Sequence, residues 1–195
     1  METILYQLPK PYFTIQNVAA VFSETLPSAR VRCVRYCKRR KFIRLKRNTY
    51  VLSPSWIKEG ERILPYAHYA NITQVPSYIS LLTALAYYDI TSQVPQNIVE
   101  SIALKRSKHV TIFDVDFNYL KVKKEYYFGY LRQDTFFIAK PEKALIDSIY
   151  LMSLGRYALD ISALSFEGLD KVEIEKILRR YPDKTINWCE KYGII

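Results

Sequence analysis

The sequence predicts an α+β protein of two domains, residues 1–66 and residues 67–195. Three observations favour this class. The net charge is +9 over residues 1–66 but only +1 over the rest, so the two parts have different surfaces. Apolar residues follow the helical period in some segments and alternate as in strands in others. The hydrophobic fraction of 49% in 195 residues is enough for two packed cores.

The first part begins with the pattern of three short helices. Thr14 is a suitable N-cap for a helix over 15–22, and Pro27 or Ser28 suits the start of a helix that continues to about Arg40. Rotation by 100° per residue divides the latter helix into two faces. The face expected to pack carries Val31, Cys33, Val34 and Cys37. The face expected to meet solvent carries Arg32, Arg35, Tyr36 and Arg39.

A basic hairpin is predicted after these helices. The β-type runs 42–45 and 49–52 flank Lys46, Arg47 and Asn48, and Asn tolerates the positive φ of a tight turn. Three helices followed by a hairpin is the element order of a winged helix-turn-helix. In that arrangement the third helix enters the major groove of DNA, and the wing contacts phosphate or the adjacent minor groove.

The charge pattern favours double-stranded DNA as the partner. Ten of the eighteen residues from Arg30 to Arg47 are Lys or Arg, and no acidic residue lies between Glu24 and Glu59. Such a surface binds a polyanion by releasing its counterions. The residues expected to read bases are Arg32, Arg35 and Arg39, with Tyr36 beside them. Those expected to contact phosphate are Arg40, Arg44, Lys46 and Arg47. A winged helix used for protein contact is the alternative.

The second part mixes helical and β-type segments. Residues 53–66 predict a connecting helix or linker, and Ser80 is a suitable cap for a helix over 81–88. Pro141 stands at the first position of a helix over 142–151, whose predicted buried stripe is Ala144, Leu145, Ser148, Ile149 and Met152. Strands are predicted at 110–113, 117–122, 126–131 and 135–138, and further helices at 170–180 and 185–191.

Two strings in this part, Pro76–Ile90 and Ile138–Leu151, closely resemble the signature segments of the AbiEi family of antitoxins and transcriptional regulators. The resemblance implies a DNA-binding N-terminal domain that represses its own operon from its operator. It also implies a C-terminal domain that counters a nucleotidyltransferase-like toxin in a type IV toxin–antitoxin, or abortive-infection, system. The motif residues on these strings are Ser77, Tyr78, Ser80, Glu142, Lys143 and Asp147. The chain departs from the family at Asn48, where Gly is usual, and in a short C-terminus.

The helix that begins at Pro141 carries two acids and a base. Glu142 in the first turn suits the helix dipole, and Lys143 and Asp147 form an i,i+4 pair, worth a few tenths of a kcal/mol. Under this interpretation the helix is structural. The alternative makes it the anchor of a site that meets the toxin or a nucleotide.

Catalysis and cofactors are not expected. The chain has no Gly-x-Ser-x-Gly motif and no Gly-rich phosphate loop. The rival class is a metal-dependent nuclease built on Asp114 and Asp116, but the adjacent pair Glu142–Lys143 lacks the spacing for it. A zinc site drawn from Cys33, Cys37, Cys189, His68 and His109 has little support. Single-stranded nucleic acid, held near Lys121, Lys123 and Lys124, is a minor alternative.

The predicted location is the cytoplasm. The first residues lack the charged and apolar regions of a signal peptide, and no apolar run approaches the roughly 18 residues of a membrane span. Three cysteines, an odd number, suit a reducing compartment.

Overall fold

In a computed structural model the chain folds as a mixed α+β protein. The structure describes residues 2–62 and 64–195. It divides into two compact units, residues 1–69 and 70–195. The boundary predicted from the sequence was three residues earlier, after Tyr66. None of the helices in the described ranges is long and apolar enough to cross a membrane.

The first unit contains short helices and a two-stranded antiparallel hairpin. In chain order its elements are α1 (Glu2–Leu5), α2 (Ile15–Val21), α3 (Leu26–Lys38), β1 (Phe42–Lys46), β2 (Thr49–Leu52) and α4 (Ser53–Gly60). Thr14 caps α2 in a capping box with Asn17, and the Thr25 hydroxyl accepts a hydrogen bond from the backbone N–H of Ser28 at the start of α3. The chain passes the boundary within α5 (Ala67–Thr73).

Asn48 fixes the tip of the hairpin against α2. Its backbone adopts φ +56, the left-handed conformation that the tight turn requires. The side-chain oxygen accepts a hydrogen bond from the backbone N–H of Ile15 at 2.9 Å, and the amide donates to Gln16 Oε1 at 3.0 Å. Asn therefore supplies a cap for the first turn of α2, which Gly at this position would not supply.

The packing of α3 differs from the sequence prediction. Ala29, Cys33 and Tyr36 are buried, whereas Val31 and Val34 are exposed. The prediction that the two valines pack and Tyr36 faces solvent was therefore wrong. The physical reason is the size of the Tyr36 ring, which meets Phe42 edge-on at a centroid distance of 5.0 Å. Burying this ring removes more apolar surface from water than burying a valine, so it sets the rotation of the helix.

The second unit is built on a six-stranded mixed sheet. Its strands are β3 (Ser77–Ile79), β4 (Ile98–Ala103), β5 (Lys108–Ile112), β6 (Val115–Lys121), β7 (Tyr130–Gln133) and β8 (Phe136–Ala139). They are ordered β5-β6-β4-β3-β8-β7, with parallel pairing of β4 with β6 and of β3 with β8. Its helices after α5 are α6 (Leu81–Tyr87), α7 (Pro141–Ser153), α8 (Lys171–Leu178) and α9 (Asp183–Lys191).

Two predictions for this unit need correction. The expected strand over 126–131 is a 3-10 turn, Lys124–Tyr126, followed by a loop, and β7 begins only at Tyr130. Gly129 interrupts the strand with φ +70.

Helix α7 is not buried along one stripe: all its residues from Glu142 to Leu151 are buried. It is a central helix that contacts α6, α8 and α9, so it has no solvent-facing side over these residues.

Candidate functional site

A groove runs between α3 and the hairpin of the first unit. Three arginines line it: Arg30, Arg44 and Arg47. The other lining residues come from α2, α3 and the hairpin: Ile15, Gln16, Leu26, Val34, Asn48 and Tyr50. Within the described part of the chain, no acidic residue lines this groove. We call it the basic groove. Three guanidinium groups without a carboxylate among them form an electropositive surface that suits a polyanion.

The basic groove continues onto the exposed face of α3. Arg30, Val31, Val34, Arg35 and Lys38 are all exposed and recur at the i, i+3 and i+4 spacing of one helix side. This face is opposite the buried stripe through Ala29, Cys33 and Tyr36. Arg30 was not among the residues predicted to contact DNA, because the predicted rotation of α3 was wrong. With Tyr36 placed inward, the helical period puts Arg30 on the outer face.

Arg32, a predicted base reader, is engaged within the first unit. Its Nε and Nη2 donate to the two carboxylate oxygens of Glu24 at 2.7 and 2.8 Å. The guanidinium lies over the ring of Phe22, 4.1 Å from its centroid. Hydrogen bonding between the two residues raises the pKa of Arg32 and lowers the pKa of Glu24. This bidentate pair uses the donors that a guanine would need. The structure therefore contradicts the prediction that Arg32 faces solvent to read bases.

Tyr36, the other predicted residue of the reading face, is only 5% exposed and belongs to the core of the first unit. Its assignment to the DNA-contacting surface was wrong, for the packing reason given above. Of the remaining predicted residues, Lys46 is half-buried at the end of β1. The others are exposed: Arg35, Arg39, Arg40, Arg44 and Arg47.

The second unit brings together four of the six motif residues around one carboxylate. The hydroxyls of Tyr78 and Ser80 each donate to Asp147 Oδ2 at 2.9 Å. Lys143 Nζ donates to Asp147 Oδ1 and, at 3.0 Å, to the hydroxyl of Tyr78. Tyr181, which follows α8, adds a fourth donor to the carboxylate, to Oδ1 at 3.2 Å. We call Tyr78, Ser80, Lys143, Asp147 and Tyr181 the Asp147 cluster.

The Asp147 cluster is sealed from solvent. The Lys143 and Asp147 side chains are both 0% exposed. Burial lowers the pKa of Lys143, while the ion pair with Asp147 opposes this by favouring the charged form. Because both charges are buried, the interpretation as an ordinary helix ion pair worth a few tenths of a kcal/mol was wrong. Removing either partner of this pair would leave the charge of the other uncompensated in the core, which is strongly destabilising.

Aromatic rings enclose the ammonium group of Lys143. Its Nζ lies 5.0 Å from the ring centroid of Phe128, and 5.6 and 5.7 Å from those of Tyr78 and Tyr181. Gly129 completes this enclosure, because a Cβ there would lie 3.0 Å from Cγ of Lys143. The lone Gly within an aromatic run was the available sequence signal for this contact. No local pattern marks Tyr181.

The other two motif residues do not join the cluster. Ser77 donates to the backbone oxygen of Gln74 at 2.7 Å. Glu142 is buried and accepts a hydrogen bond from the backbone N–H of Asp170, at 3.2 Å. Glu142 therefore holds the segment that begins α8, and Ser77 holds the turn before β3. Ser80 is the N-cap of α6 as predicted, but its hydroxyl bonds Asp147 and makes no cap hydrogen bond.

Another buried carboxylate, that of Glu100, was not singled out from the sequence. The Tyr157 hydroxyl donates to it at 2.6 Å, and the backbone N–H of Leu82 donates at 3.2 Å. Burial raises the pKa of Glu100, and these two hydrogen bonds oppose the shift. Since Leu82 lies in the first turn of α6, Glu100 anchors the start of that helix.

The residues weighed for metal binding are not gathered. Among the described residues, no group of three or more His, Cys, Asp or Glu side chains is placed to hold a metal ion. Burial raises the pKa of Cys33 to about 11 and that of Cys189 to about 12, so both thiols are protonated at neutral pH. Asp116 accepts from the Thr111 hydroxyl at 2.6 Å and lies 3.3 Å from Nε2 of His109.

No family model matches the chain, and no curated protein matches it significantly. The resemblance to the AbiEi family stays a prediction that rests on the two strings quoted above.

Proposed function

We propose that residues 1–69 form a winged helix-turn-helix that binds double-stranded DNA. The observation that carries the proposal is the basic groove, in which Arg30 of α3 and Arg44 and Arg47 of the hairpin line one surface that has no carboxylate. Helix α3 is the element that enters the major groove, which is about 12 Å wide and admits one α-helix. The hairpin is the wing, and its tip carries Arg47 to the phosphate backbone.

The exposed arginines divide by position. Arg30 and Arg35 lie on α3 itself, where a guanidinium can reach the O6 and N7 atoms of guanine. Arg44 and Arg47 lie on the hairpin and neutralise phosphate. Arg32 instead ties α3 to Glu24 and contributes to folding.

This division predicts opposite outcomes for two arginines three residues apart. Arg35→Ala is expected to weaken binding to a duplex selected by the chain by about 1–3 kcal/mol, because one base contact is lost. Binding to random duplex is expected to change little, as is the melting temperature. Arg32→Ala is expected to lower the free energy of unfolding by about 1 kcal/mol, because the ion pair and the stacking on Phe22 are lost. Fluorescence anisotropy and thermal melting measure the two quantities.

Arg47→Ala serves as the control for non-specific contact, and it is expected to weaken selected and random duplexes equally. The assignment of α3 as the reading helix is contradicted if Arg35→Ala also weakens both duplexes equally. The assignment of Arg32 to folding is contradicted if Arg32→Ala leaves the melting temperature unchanged but abolishes binding to the selected duplex.

For the whole chain we propose a cytoplasmic transcriptional regulator of the AbiEi antitoxin type, without catalysis of its own. It represses its own operon, and its second unit counters a nucleotidyltransferase-like toxin. The support is the resemblance of the strings around Tyr78 and Asp147, which lie on separate elements and meet in one cluster. The closure of that cluster supports a structural role, because a substrate has no access to its carboxylate.

The antitoxin proposal predicts rescue of growth. Cells that express the product of an adjacent nucleotidyltransferase-like reading frame are expected to stop growing, and co-expression of the full chain is expected to restore growth. Arg35→Ala is expected to rescue equally well when both genes are driven by unrelated promoters, since the second unit is intact. Growth arrest that persists with soluble full chain would contradict the proposal.

A further inference from the structure

The exposed face of α3 is apolar in the middle at the level of residues 30–35. Val31 is 60% exposed and Val34 is 53% exposed, and they lie between Arg30 on one side and Arg35 on the other, with Lys38 in line with them one turn nearer the C-terminus. Valine has a modest helix propensity, and at this exposure neither side chain adds to the core. Neither packing nor helix formation therefore accounts for two valines here.

The groups that such a face would meet in DNA are few. If α3 occupies the major groove, as in the proposed function on which this inference rests, the C5-methyl of thymine is the apolar group displayed there. We infer that Val31 and Val34 contact thymine methyl groups. The chain would then prefer A·T pairs at the middle of the segment read by α3, flanked by G·C pairs that meet Arg30 and Arg35.

The spacing of the two valines suits this target. Side chains three residues apart on a helix have Cβ atoms about 5–6 Å apart. Bases along one strand are separated by about 3.4 Å. Val31 and Val34 would therefore address neighbouring or next-neighbouring base pairs.

A second copy of the chain is a poorer occupant of this face. A two-fold symmetric contact places the same patch on both sides, so Arg30, Arg35 and Lys38 of one copy would face the same cations of the other. Like charges at an interface oppose association. A phosphate-lined groove presents the opposite charge on either side of its bases.

The test compares thymine with uracil, which differs by the methyl group alone. A 20-base-pair duplex is first selected from a random pool by the full chain, then synthesised with uracil at every thymine position. Each contacted methyl is expected to contribute about fourfold in affinity, equivalent to about 0.8 kcal/mol. Two contacts would give about 15-fold weaker binding to the uracil duplex.

Variants connect this preference to the two valines. In the variant Val31→Ala/Val34→Ala, the affinity for the thymine duplex is expected to exceed the affinity for the uracil duplex by less than about twofold. A double-mutant cycle isolates this coupling between the valines and the methyl groups. Because both side chains are exposed, the melting temperature is expected to stay within a few degrees of wild type. Val172→Ala, which alters a 74% exposed valine of α8, is the matched control and should keep the full ratio.

The outcomes separate the inference from the proposed function. A chain that binds the selected duplex with strong salt dependence but equally well with uracil overturns the inference alone. So does an undiminished ratio in the double alanine variant. A chain that enriches no duplex from the pool overturns both the proposed function and the inference.

Discussion

Asp147→Ala is expected to lower the free energy of unfolding of the second unit by about 3–5 kcal/mol, because it leaves the buried Lys143 ammonium without its counterion. The substitution also removes the acceptor of three hydroxyl donors, those of Tyr78, Ser80 and Tyr181. Each of these three hydroxyls would then be a buried donor without its acceptor, which destabilises the folded unit further. Since single domains are stable by only about 5–15 kcal/mol, this is a large fraction of the total.

Urea denaturation measures this loss. The chain has two tryptophans, and only Trp188 belongs to the second unit, so a Trp56→Phe background makes fluorescence specific for that unit. Lys176→Ala is the matched control. It breaks a lysine–carboxylate pair with Glu173 at 3.1 Å, but the lysine side chain is 71% exposed. We expect the control to cost a few tenths of a kcal/mol. A similarly small cost for Asp147→Ala would show that the Asp147 cluster is open to water.

The sequence predicted those features of the fold that depend on local chemistry. The Thr14 cap gave the start of α2, Pro141 gave the start of α7, and the alternation on either side of Asn48 gave the hairpin. Each of these signals resides within a few residues of the element that it marks. Periodicity also showed that α3 is a helix, but it gave the wrong rotation. The buried face was decided by contact of Tyr36 with Phe42 and Phe22, and a helical wheel contains no such information.

The candidate sites show the same limit. The resemblance selected both strings of the Asp147 cluster, yet the spacing of Lys143 and Asp147 alone suggested an ordinary ion pair. Their burial depends on Tyr78, which is 69 residues from Asp147 along the chain, and on Tyr181, which carries no local signal. On the first unit, charge density predicted a cationic surface. It did not separate Arg32, bound to Glu24, from the exposed Arg30 and Arg35.

The second large effect is expected at the basic groove. Replacing Arg30, Arg44 and Arg47 together with alanine removes three of its cations, and each is expected to contact phosphate or a base edge. At about 1.5 kcal/mol for each charged contact, the loss of affinity for a duplex selected by the chain is about a thousandfold. All three side chains are exposed, so folding should be retained. The matched control is Lys171, Arg179 and Lys184 replaced by alanine, which lowers the net charge equally on exposed residues of the second unit.

The most direct test of DNA binding by the first unit is a salt titration of the full chain on a duplex of about 20 base pairs. If about six phosphates are neutralised, log K should fall against log salt with a slope of about −5, about a thousandfold between 50 and 200 mM. In the variant without Arg30, Arg44 and Arg47 the slope should be shallower by about two units, because Arg44 and Arg47 contact phosphate, while the control variant keeps the wild-type slope. A wild-type affinity that does not change with salt, or equal slopes in all three proteins, would contradict DNA binding through the basic groove.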